Sequence, residues 1–377
     1  MVSTARGAEC EFEPPTMSRL SRYLFGLFSA QAGALFALAV VLIFLVQCLR
    51  VADAGAVRGQ GLGIILLQAL LAMPALAVSF LFVCIAIGMA RALRSLAETR
   101  ELHIIHANGR LRGLLSAIVA FALAGALFAL ALTHFVEPLT LRAGTLIRAR
   151  IAADIVGRSL VPQRFAEVAD GVTITVGGRG RNGEITSFFA DDRRDPATQR
   201  TYMADTALLA SDGESYVLQL ENGAMQFRTA DGQFSEISFA RYDIDLARLT
   251  GEFDDTQSQR ETTSLTLVEE SLASGEIAPA TARRLVARSV EGLRVLALTA
   301  VVAAMAAFPT GKRRRGRIPI ELVVFAIAFA ERGITALTPS DSLIAPANGA
   351  IAMLAAALIV LVFRLRLLAP VGRRRTA

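Results

Sequence analysis

Residues 62–90 read LGIILLQALLAMPALAVSFLFVCIAIGMA, and none of them is charged. A helix of about 20 apolar residues crosses the hydrocarbon core of a bilayer, so this segment predicts a transmembrane helix. The segment is long enough to tilt, and Pro74 predicts a kink near its middle. A chain with such a segment is anchored in a membrane, and its other apolar segments become candidate spans.

Further apolar segments of similar length bring the predicted number of transmembrane helices to six. The composition agrees with this, because 54% of the residues are hydrophobic and the mean hydropathy is +0.50. Besides 62–90, the predicted spans are residues 24–49, 114–136, 293–308, 318–337 and 347–368.

The segment 137–290, between the third and fourth spans, is acidic, whereas the rest of the chain is basic. It holds 17 basic and 23 acidic residues, a net charge of −6 against +6 for the whole chain, so the remainder carries +12. Cytosolic loops of membrane proteins are enriched in Lys and Arg. With six spans, the arginine-rich segments 91–112, 312–317 and 364–375 fall on one side. The pattern predicts an inner-membrane protein with cytosolic termini and with residues 137–290 in the periplasm.

Within this acidic insert the sequence changes from a helical to a strand pattern. Residues 171–176 alternate with β-branched side chains, which is typical of a strand. Turn signals recur about every ten residues, as in a β-sandwich or jelly roll. They are Gly177-Gly178, Asn182-Gly183, Asp212-Gly213, Asn222-Gly223 and Asp231-Gly232. The predicted fold is therefore an α-helical polytopic membrane protein with six transmembrane helices and an inserted all-β jelly-roll domain.

The resulting domain organisation has a soluble domain between two groups of three spans. We expect helical flanks on both sides of the β domain, at 138–154 and 265–289. The predicted divisions are a polar N-terminal extension (1–16), spans one to three (17–136), the periplasmic domain with its flanks (137–290), spans four to six (291–368) and a basic cytosolic tail (369–377).

The cytosolic segment 91–109 has a helical pattern that Gly109 is suited to end. Leu102 and Ile105 lie three residues apart and therefore on one face of this helix, beside charged residues. Such a face is typical of a helix that docks in a groove of a partner protein. It is equally typical of a helix that lies on the lipid surface. The residues alone leave both interpretations open.

Charged residues also lie within or at the ends of the predicted spans. The fifth span contains Glu321, Glu331 and Arg332, which either anchor its ends at the membrane surface or line a polar cavity. Arg50 and Arg58 border the outer ends of the first two spans. They either mark the interface or bind anionic lipid groups.

Sequence signals of catalysis are missing. The chain has no phosphate-binding loop of the Walker type, no G-x-S-x-G elbow and no H-E-x-x-H motif. His103 and His106 are three residues apart but have no third ligand nearby, so we expect no metal site. The sequence thus predicts a protein that is not an enzyme and has no cofactor. If its activity needs ATP, another chain must hydrolyse it.

Several short motifs are distributed over most of the chain. They are Arg22-Tyr23-Leu24, Met73-Pro74, residues 101–109 (ELHIIHANG), Pro138, residues 220–223 (LENG), Phe239, Tyr242, Leu285 and Arg288. Together with the order of spans and β domain, these motifs resemble the permease subunits of the lipopolysaccharide-export ABC transporter, the LptF/LptG type. Residues 101–109 are similar to that family's coupling helix, although Arg100 stands where the family has a serine. The compact β domain and its 191–195 insert resemble the F-type more closely.

The resemblance implies a function and a set of partners. The chain would extract lipopolysaccharide from the outer leaflet of the inner membrane and pass it to a periplasmic jelly-roll bridge protein. A cytosolic ATPase dimer and a second six-span permease would complete the machine, and nucleic acid has no part in it. The implied residues of the ATPase-coupling helix are Glu98, Glu101, Leu102, Ile105 and Gly109. Those of the lipid cavity or gate are Phe28, Leu35, Arg50, Phe325 and Arg332.

A second function fits the same layout. A membrane-anchored sensor or scaffold would also have spans and a soluble β domain, which would bind a periplasmic ligand. Association with an ATPase through Glu101 distinguishes the two hypotheses, because only the export permease requires it.

Overall fold

The computed structural model describes most of the chain between residues 18 and 368. The described stretches are 18–58, 62–154, 162–169, 171–180, 184–195, 198–211, 216–229, 233–245, 260–275, 277–308, 319–337 and 342–368. The predicted N-terminal extension, the basic loop 312–317 and the tail 369–377 lie outside them. The chain divides into two compact units. The helical unit contains residues 73–136 and 269–377 with the N-terminal 47 residues, and the strand unit contains residues 48–72 and 137–268.

Helices make up the regular structure outside the sheet. In chain order they are α1 (Arg19–Arg58), α2 (Leu62–Glu98), α3 (Glu101–Ala107), α4 (Leu111–Ala131), α5 (Glu137–Asp154), α6 (Ser264–Ser274), α7 (Pro279–Ala306), α8 (Ile320–Leu337) and α9 (Asn348–Leu368). A π-helical turn, Leu132–Val136, joins α4 to α5, and a 3₁₀ turn, Ala345–Ala347, precedes α9.

In the described part of the chain, five helical segments are long and apolar enough to cross a membrane. They are Arg19–Val51, Leu62–Glu98, Leu111–Arg148, Pro279–Ala306 and Ala345–Arg366. These correspond to the predicted spans one, two, three, four and six. The predicted fifth span is α8, whose 18 residues include Glu321, Glu331 and Arg332 and are too charged to qualify by composition alone.

The core of the helical unit is built from close helix contacts and apolar side chains. Phe28 of α1 is fully buried and meets the ring of Phe121 edge-on at 5.7 Å. A Cβ atom on Gly88 of α2 would lie 2.4 Å from the Cα atom of Ala32, so the two backbones approach more closely than any larger residue permits. Membrane helices associate through such small residues, because lipid provides no hydrophobic driving force.

The segment 91–109 forms two helices, where the sequence predicted one. Helix α2 continues to Glu98, and the chain then turns through Arg100, whose φ of 63° is left-handed. A separate seven-residue helix, α3, follows and ends at Ala107. Gly109, with a φ of 66°, lies just beyond this end, as predicted. The break redirects the chain between α2 and α4.

The predicted helical flanks of the β domain are present, with one difference. Helix α5 continues from the third span, as expected. The second flank is divided at Gly275, whose φ of 73° ends α6 before α7 begins at Pro279. Helix α7 therefore begins well before the predicted fourth span and extends as far as Ala306.

In the described residues of the strand unit, six strands form one antiparallel sheet. They are β1 (Ala166–Ala169), β2 (Val172–Arg179), β3 (Ile185–Asp192), β4 (Thr198–Ser211), β5 (Tyr216–Thr229) and β6 (Phe234–Asp245). The strands lie in sequence order, each paired with the next. A jelly roll has two sheets with crossing connections, whereas the described strands form a single meander.

Two of the predicted turns are wrong, because they lie inside strands. Gly177-Gly178 belongs to β2 and Asn222-Gly223 to β5. The other predicted turns, at 182–183, 212–213 and 231–232, lie outside the described residues. The strand pairs on either side leave one row unpaired across five strands, and Gly177 and Asn222 lie in this row. This crease row consists of Gly177, Ser187, Asp205, Asn222 and Ala240.

At the crease row the strands change which side chains face inward. Ala204 and Ala207 of β4 are three residues apart and would point to opposite faces of a regular strand. Both are nevertheless buried in the same apolar core. Ser187 and Asn222 have positive φ angles of 51°, which supply the local change of direction. A row of small and polar residues, two of which have a positive φ, therefore marks a bend of the sheet here, and not a turn between strands.

The bend folds the sheet onto its own inner face. The rings of Tyr202 in β4 and Tyr242 in β6 stack with centroids 6.4 Å apart and an interplanar angle of 18°. A whole strand lies between them, and they are on opposite sides of the crease row. In a flat sheet, two strand spacings and five residues of rise would separate them by about 19 Å. The single folded sheet thus encloses an apolar core, as a two-sheet domain would.

The contact between α1 and α2 generates a prediction. Gly88→Ala introduces a methyl group that overlaps the Ala32 backbone, so we expect a loss of about 1–3 kcal/mol in the free energy of unfolding. Gly33→Ala is the matched control, because a Cβ atom there meets nothing within 4 Å. It should be neutral or slightly stabilising. Denaturant unfolding in detergent micelles measures both, and equal losses would contradict the close approach.

Candidate functional site

A buried ion pair joins α7 to α8 within the helical unit. Arg294 of α7 and Glu331 of α8 have exposed fractions of only 6% and 2%. Arg294 Nε donates hydrogen bonds to both carboxylate oxygens of Glu331, at 3.0 and 3.2 Å. Its Nη1 atom donates to the carboxylate of Glu291, one turn earlier on α7. One guanidinium therefore serves two carboxylates.

Two further side chains complete the cluster. Thr335 Oγ1 lies 3.3 Å from Glu331 Oε1, one turn further along α8. Arg332 Nη2 is 3.8 Å from the second carboxylate, that of Glu291. Two arginines and two glutamates thus share one region, and their formal charges cancel. We call Glu291, Arg294, Glu331 and Arg332 the charge cluster.

The cluster satisfies the physical demand of an apolar interior. An ionised side chain there is costly unless it has a partner. Glu331 is buried and paired, so in this structure it does not line an open cavity, one of the two alternatives that the sequence left open. Arg332 differs, because its side chain is 44% exposed and its guanidinium lies 5.6 Å from the centre of the Phe82 ring.

The sequence-based search missed Arg294 and Glu291. Both stand near the start of the predicted fourth span, at 293–308, and were not considered as partners for the fifth. The sequence did contain a signal for this pairing. One basic and one acidic residue stand at the start of the predicted fourth span, and another such pair stands near the end of the fifth, which the predicted topology places on the same side of the membrane. Hydropathy alone could not show that Arg294 and Glu331 face each other.

The start of α9 fits closely against the same region of α8. A Cβ atom on Gly349 would lie 2.8 Å from the carbonyl oxygen of Glu331 and 2.6 Å from Thr335 Oγ1. Only glycine permits this approach. The charge cluster is thereby shielded on the side of α9, which explains why Glu331 is almost completely buried.

The other end of α8 carries a weaker ion pair. Glu321 Oε1 lies 3.5 Å from Arg91 Nε near the end of α2, and both side chains are partly exposed. Exposed pairs of this kind contribute little to stability. Each charged residue of α8 therefore has an oppositely charged partner on another helix.

The residues expected to line a lipid cavity fall in different environments. Phe28 is fully buried in the core of the chain itself, so it cannot contact lipid in this structure. Leu35 is half-buried and Arg50 is exposed on α1. Phe325 is 41% exposed and stacks on Phe329 at 5.8 Å. Arg332 is part of the charge cluster.

The short helix α3 turns its predicted docking face inward. Leu102 is fully buried and Ile105 is 7% exposed, and both pack in the core of the helical unit. The ring of His106 meets Phe308 edge-on at 6.1 Å. The outward face instead carries His103 and Ile104, and Ile104 is 57% exposed.

The remaining residues assigned to the coupling helix lie around α3. Glu98, at the end of α2, forms an exposed ion pair with Arg94 at 2.9 Å. Glu101 is half-buried at the first position of α3, and Gly109 is exposed beyond its end. The described residues contain no group of three or more potential metal ligands.

In the strand unit, Asp191 is a buried carboxylate with several hydrogen-bond donors. It accepts hydrogen bonds from Arg193 Nε at 2.6 Å, Gln199 Nε2 at 3.0 Å and Thr201 Oγ1 at 3.0 Å. Burial by itself would raise the pKa of Asp191, but these donors outweigh burial and lower the pKa below its ordinary value. The carboxylate thus ties the β3–β4 hairpin together.

These features define a class of protein: a multi-pass membrane protein with paired charges among its helices and a separate folded sheet. The comparison with protein families identifies the class further, because the model of the lipopolysaccharide export system permease LptF/LptG matches residues 22–368. The chain belongs to this family, which forms the lipopolysaccharide export permease of the Lpt ABC system. Membership of this family makes the chain a multi-pass inner-membrane protein and a transporter subunit. No curated protein matches the chain.

The charge cluster generates a stability prediction. Arg294→Met leaves the Glu331 carboxylate buried without its partner, and we expect a loss of about 3–5 kcal/mol in the free energy of unfolding. Adding Glu331→Leu should recover most of this loss, because Glu291 keeps Arg332. Denaturant unfolding in micelles measures both variants. Arg332→Met, at the exposed edge, is the control and should cost no more than about 1 kcal/mol. A double variant as unstable as the single one would contradict this account.

The Asp191 site generates a pH prediction. A carboxylate whose pKa is lower in the folded state stabilises the fold above its unfolded pKa, about 3.8, and loses this contribution as the pH falls through the folded value. Asp191→Asn should therefore weaken the strands at pH 7 by about 1–2 kcal/mol. The difference from the unchanged protein should shrink below about pH 4. Hydrogen exchange of the strand amides measures it, with the exposed Asp243→Asn as control. A difference that is independent of pH would refute the charged role.

Proposed function

We propose that this chain is one of two six-span permease subunits that extract lipopolysaccharide from the outer leaflet of the inner membrane. A separate cytosolic ATPase dimer drives the step, since no nucleotide-binding motif was found in the sequence. The observation that carries the proposal is the extent of the family match, which covers both the helical and the strand unit. A sensor or scaffold has no comparable support.

The paired charges of α8 support the count of six spans. Helix α8 is excluded by composition because of its three charged residues. Each of the three, however, has an oppositely charged partner on α2 or α7. A helix whose charges are neutralised by its neighbours can be accommodated in a bilayer. With six spans, both termini would lie on the same side of the membrane. The arginine-rich loops favour the cytosol for that side, so residues 137–290 would lie in the periplasm.

The folded sheet is the part of the chain suited to receive the glycolipid. We infer that it takes the place of the jelly roll of the F-type subunit and delivers lipopolysaccharide to a periplasmic jelly-roll bridge protein. Its apolar inner face, with Tyr202 and Tyr242 stacked across it, matches the chemistry of acyl chains. Because the side chains of this face are buried against one another, acyl chains would enter only where the two halves of the folded sheet separate.

The short helix α3 is suited to connect the ATPase to the spans. Its buried residues Leu102 and Ile105 hold it against the core of the helical unit, so a force on α3 reaches that core directly. Its outward residues His103 and Ile104 are available for contact with the ATPase, together with Glu98, Glu101 and Gly109 nearby. The partner contact thus shifts from the face that the sequence predicted to the opposite one.

A lipid-facing path is proposed on the first and fifth spans. Leu35, Phe325 and Arg332 of the helical unit remain its candidate residues, because all three are at least partly exposed. Arg50, which is exposed on the other unit, remains a separate candidate for lipid contact. Phe28 is removed from this set by its complete burial. Arg50 and Arg332 would attract the phosphates of the glycolipid, and Leu35 and Phe325 its acyl chains.

The proposal is tested with Ile104→Asp. An aspartate in a desolvated protein contact is costly, so we expect loss of ATPase co-purification and at least about tenfold slower ATP-driven release of lipopolysaccharide from proteoliposomes that contain both permeases. Thermal unfolding of the isolated chain should be unchanged, since Ile104 is 57% exposed.

The contrasting variant is Leu102→Ala, which removes a fully buried side chain and should cost about 2–5 kcal/mol of stability. Release that persists without ATPase or ATP, or full co-purification of the Ile104→Asp chain, would refute this arrangement.

A further inference from the structure

The outer face of the folded sheet has a chemistry that differs from its apolar inner face. Cross-strand pairs place Asp191, Thr201, Gln226 and Glu236 in one row across β3, β4, β5 and β6. Members of such a row point to the same face. The adjacent row, which contains Tyr202 and Met225, is buried in the core, so the polar row lies on the opposite, outer face.

Hydrogen bonds hold the polar row in a fixed arrangement. Thr201 and Gln199 donate to Asp191, and Gln226 Nε2 donates to Glu236 at 3.1 Å. The amide and hydroxyl groups therefore have defined orientations. Their remaining acceptor and donor positions, the amide oxygens and second N–H groups, point away from these bonds and are suited to the hydroxyls of a ligand.

Next to this row the outer face forms an open cleft of about 180 Å³. We call it the outer-face cleft, and it is lined by Gln199, Thr201, Gln226, Phe227, Arg228 and Phe234. Sites that enclose drug-sized ligands have volumes of about 300–1,000 Å³. The outer-face cleft is smaller and open, so it fits a single sugar ring with a charged substituent, and not an acyl chain.

Arg228 and Phe234 give the cleft its selectivity. They are directly opposite each other on β5 and β6. Phe234 is 60% exposed, and Arg228 is exposed without a hydrogen bond or ion pair to any residue that the structure describes. The Asp191 carboxylate is paired with Arg193. Glu236 accepts a hydrogen bond from the neutral Gln226 amide and keeps its negative charge, but it is not among the residues that line the cleft. The charged side chain of the described lining is therefore that of Arg228, beside the aromatic ring of Phe234.

We propose that the outer-face cleft binds a phosphorylated sugar of the exported glycolipid. Arg228 holds the phosphate, Phe234 packs against the apolar face of the sugar ring, and the glutamine and threonine side chains bond its hydroxyls. The two faces of one sheet then divide the ligand, with acyl chains on the inner face and saccharide on the outer one. This inference rests on the proposed function, because it requires the sheet to be periplasmic.

The test uses the full chain in detergent micelles and a probe without acyl chains. The probe is deacylated lipopolysaccharide that keeps its sugar phosphates, and calorimetry measures its binding. Arg228→Gln and Phe234→Ala should each weaken binding by about tenfold or more, the cost of losing a charge-assisted hydrogen bond or a ring contact. Arg241→Gln is the matched control. It removes an exposed arginine of the same sheet, already paired with Asp243, and should have no effect.

Two further probes distinguish the ligand chemistry. The dephosphorylated oligosaccharide should bind weakly and be insensitive to Arg228→Gln, whereas inorganic phosphate alone should bind far more weakly than the intact probe. If inorganic phosphate bound as tightly as the intact probe, the cleft would recognise only the anion and not the sugar, and the proposal would be overturned. Binding that neither variant changes would overturn it too, as would capture of a protein partner by this face with no saccharide binding.

Failure here is distinguishable from failure of the proposed function. ATP-driven release of lipopolysaccharide from proteoliposomes is measured separately. Normal release without binding of the probe would remove only the outer-face cleft. Loss of both would count against the export function itself.

Discussion

An apolar interior cannot solvate an unpaired charge, and this constraint bears on how the last three long helices of the described chain fit together. Arg294 and Glu331 must meet because neither is tolerated alone in an apolar surrounding. Their pairing sets α7 against α8, and the close approach of Gly349 then sets α9 against the same carboxylate. An apolar seam would leave neighbouring helices free to rotate or slide. The buried ion pair, in which Arg294 Nε is shared between both carboxylate oxygens of Glu331, favours one arrangement.

The sequence predicts the helices well and their mutual contacts poorly. Hydropathy is summed over many residues, so a single polar residue rarely hides a span. For this reason five of the predicted spans correspond to apolar helices. The partner of Glu331 depends on one residue in another helix, and no local pattern identifies it. The break at Arg100 is similar, because the helical periodicity of the sequence continues across it while the backbone does not.

The sheet illustrates the same limit in a different form. Asn-Gly and Gly-Gly indicate that the backbone leaves the regular strand conformation, and that information is correct at Asn222, whose φ is 51°. Whether the departure joins two strands or bends one depends on the register of the neighbouring strands. Gly177 and Asn222 both lie in the crease row with Ser187, and only the pairing of five strands shows this. The strand content was therefore predictable, whereas the folding of one sheet onto itself was not.

Contacts in the helical unit form a continuous path from the short helix α3 to the charge cluster. Helix α3 reaches Phe308, just beyond the end of α7, through His106. Helix α7 carries Arg294, and Arg294 holds α8 through Glu331. Because packed interiors transmit displacement and do not absorb it, a movement of α3 in the proposed function would turn α7 and α8 together. Export by a chain in which Arg294 and Glu331 are both replaced by apolar residues would decide whether this path is used, since its fold is retained while the rigid connection is lost.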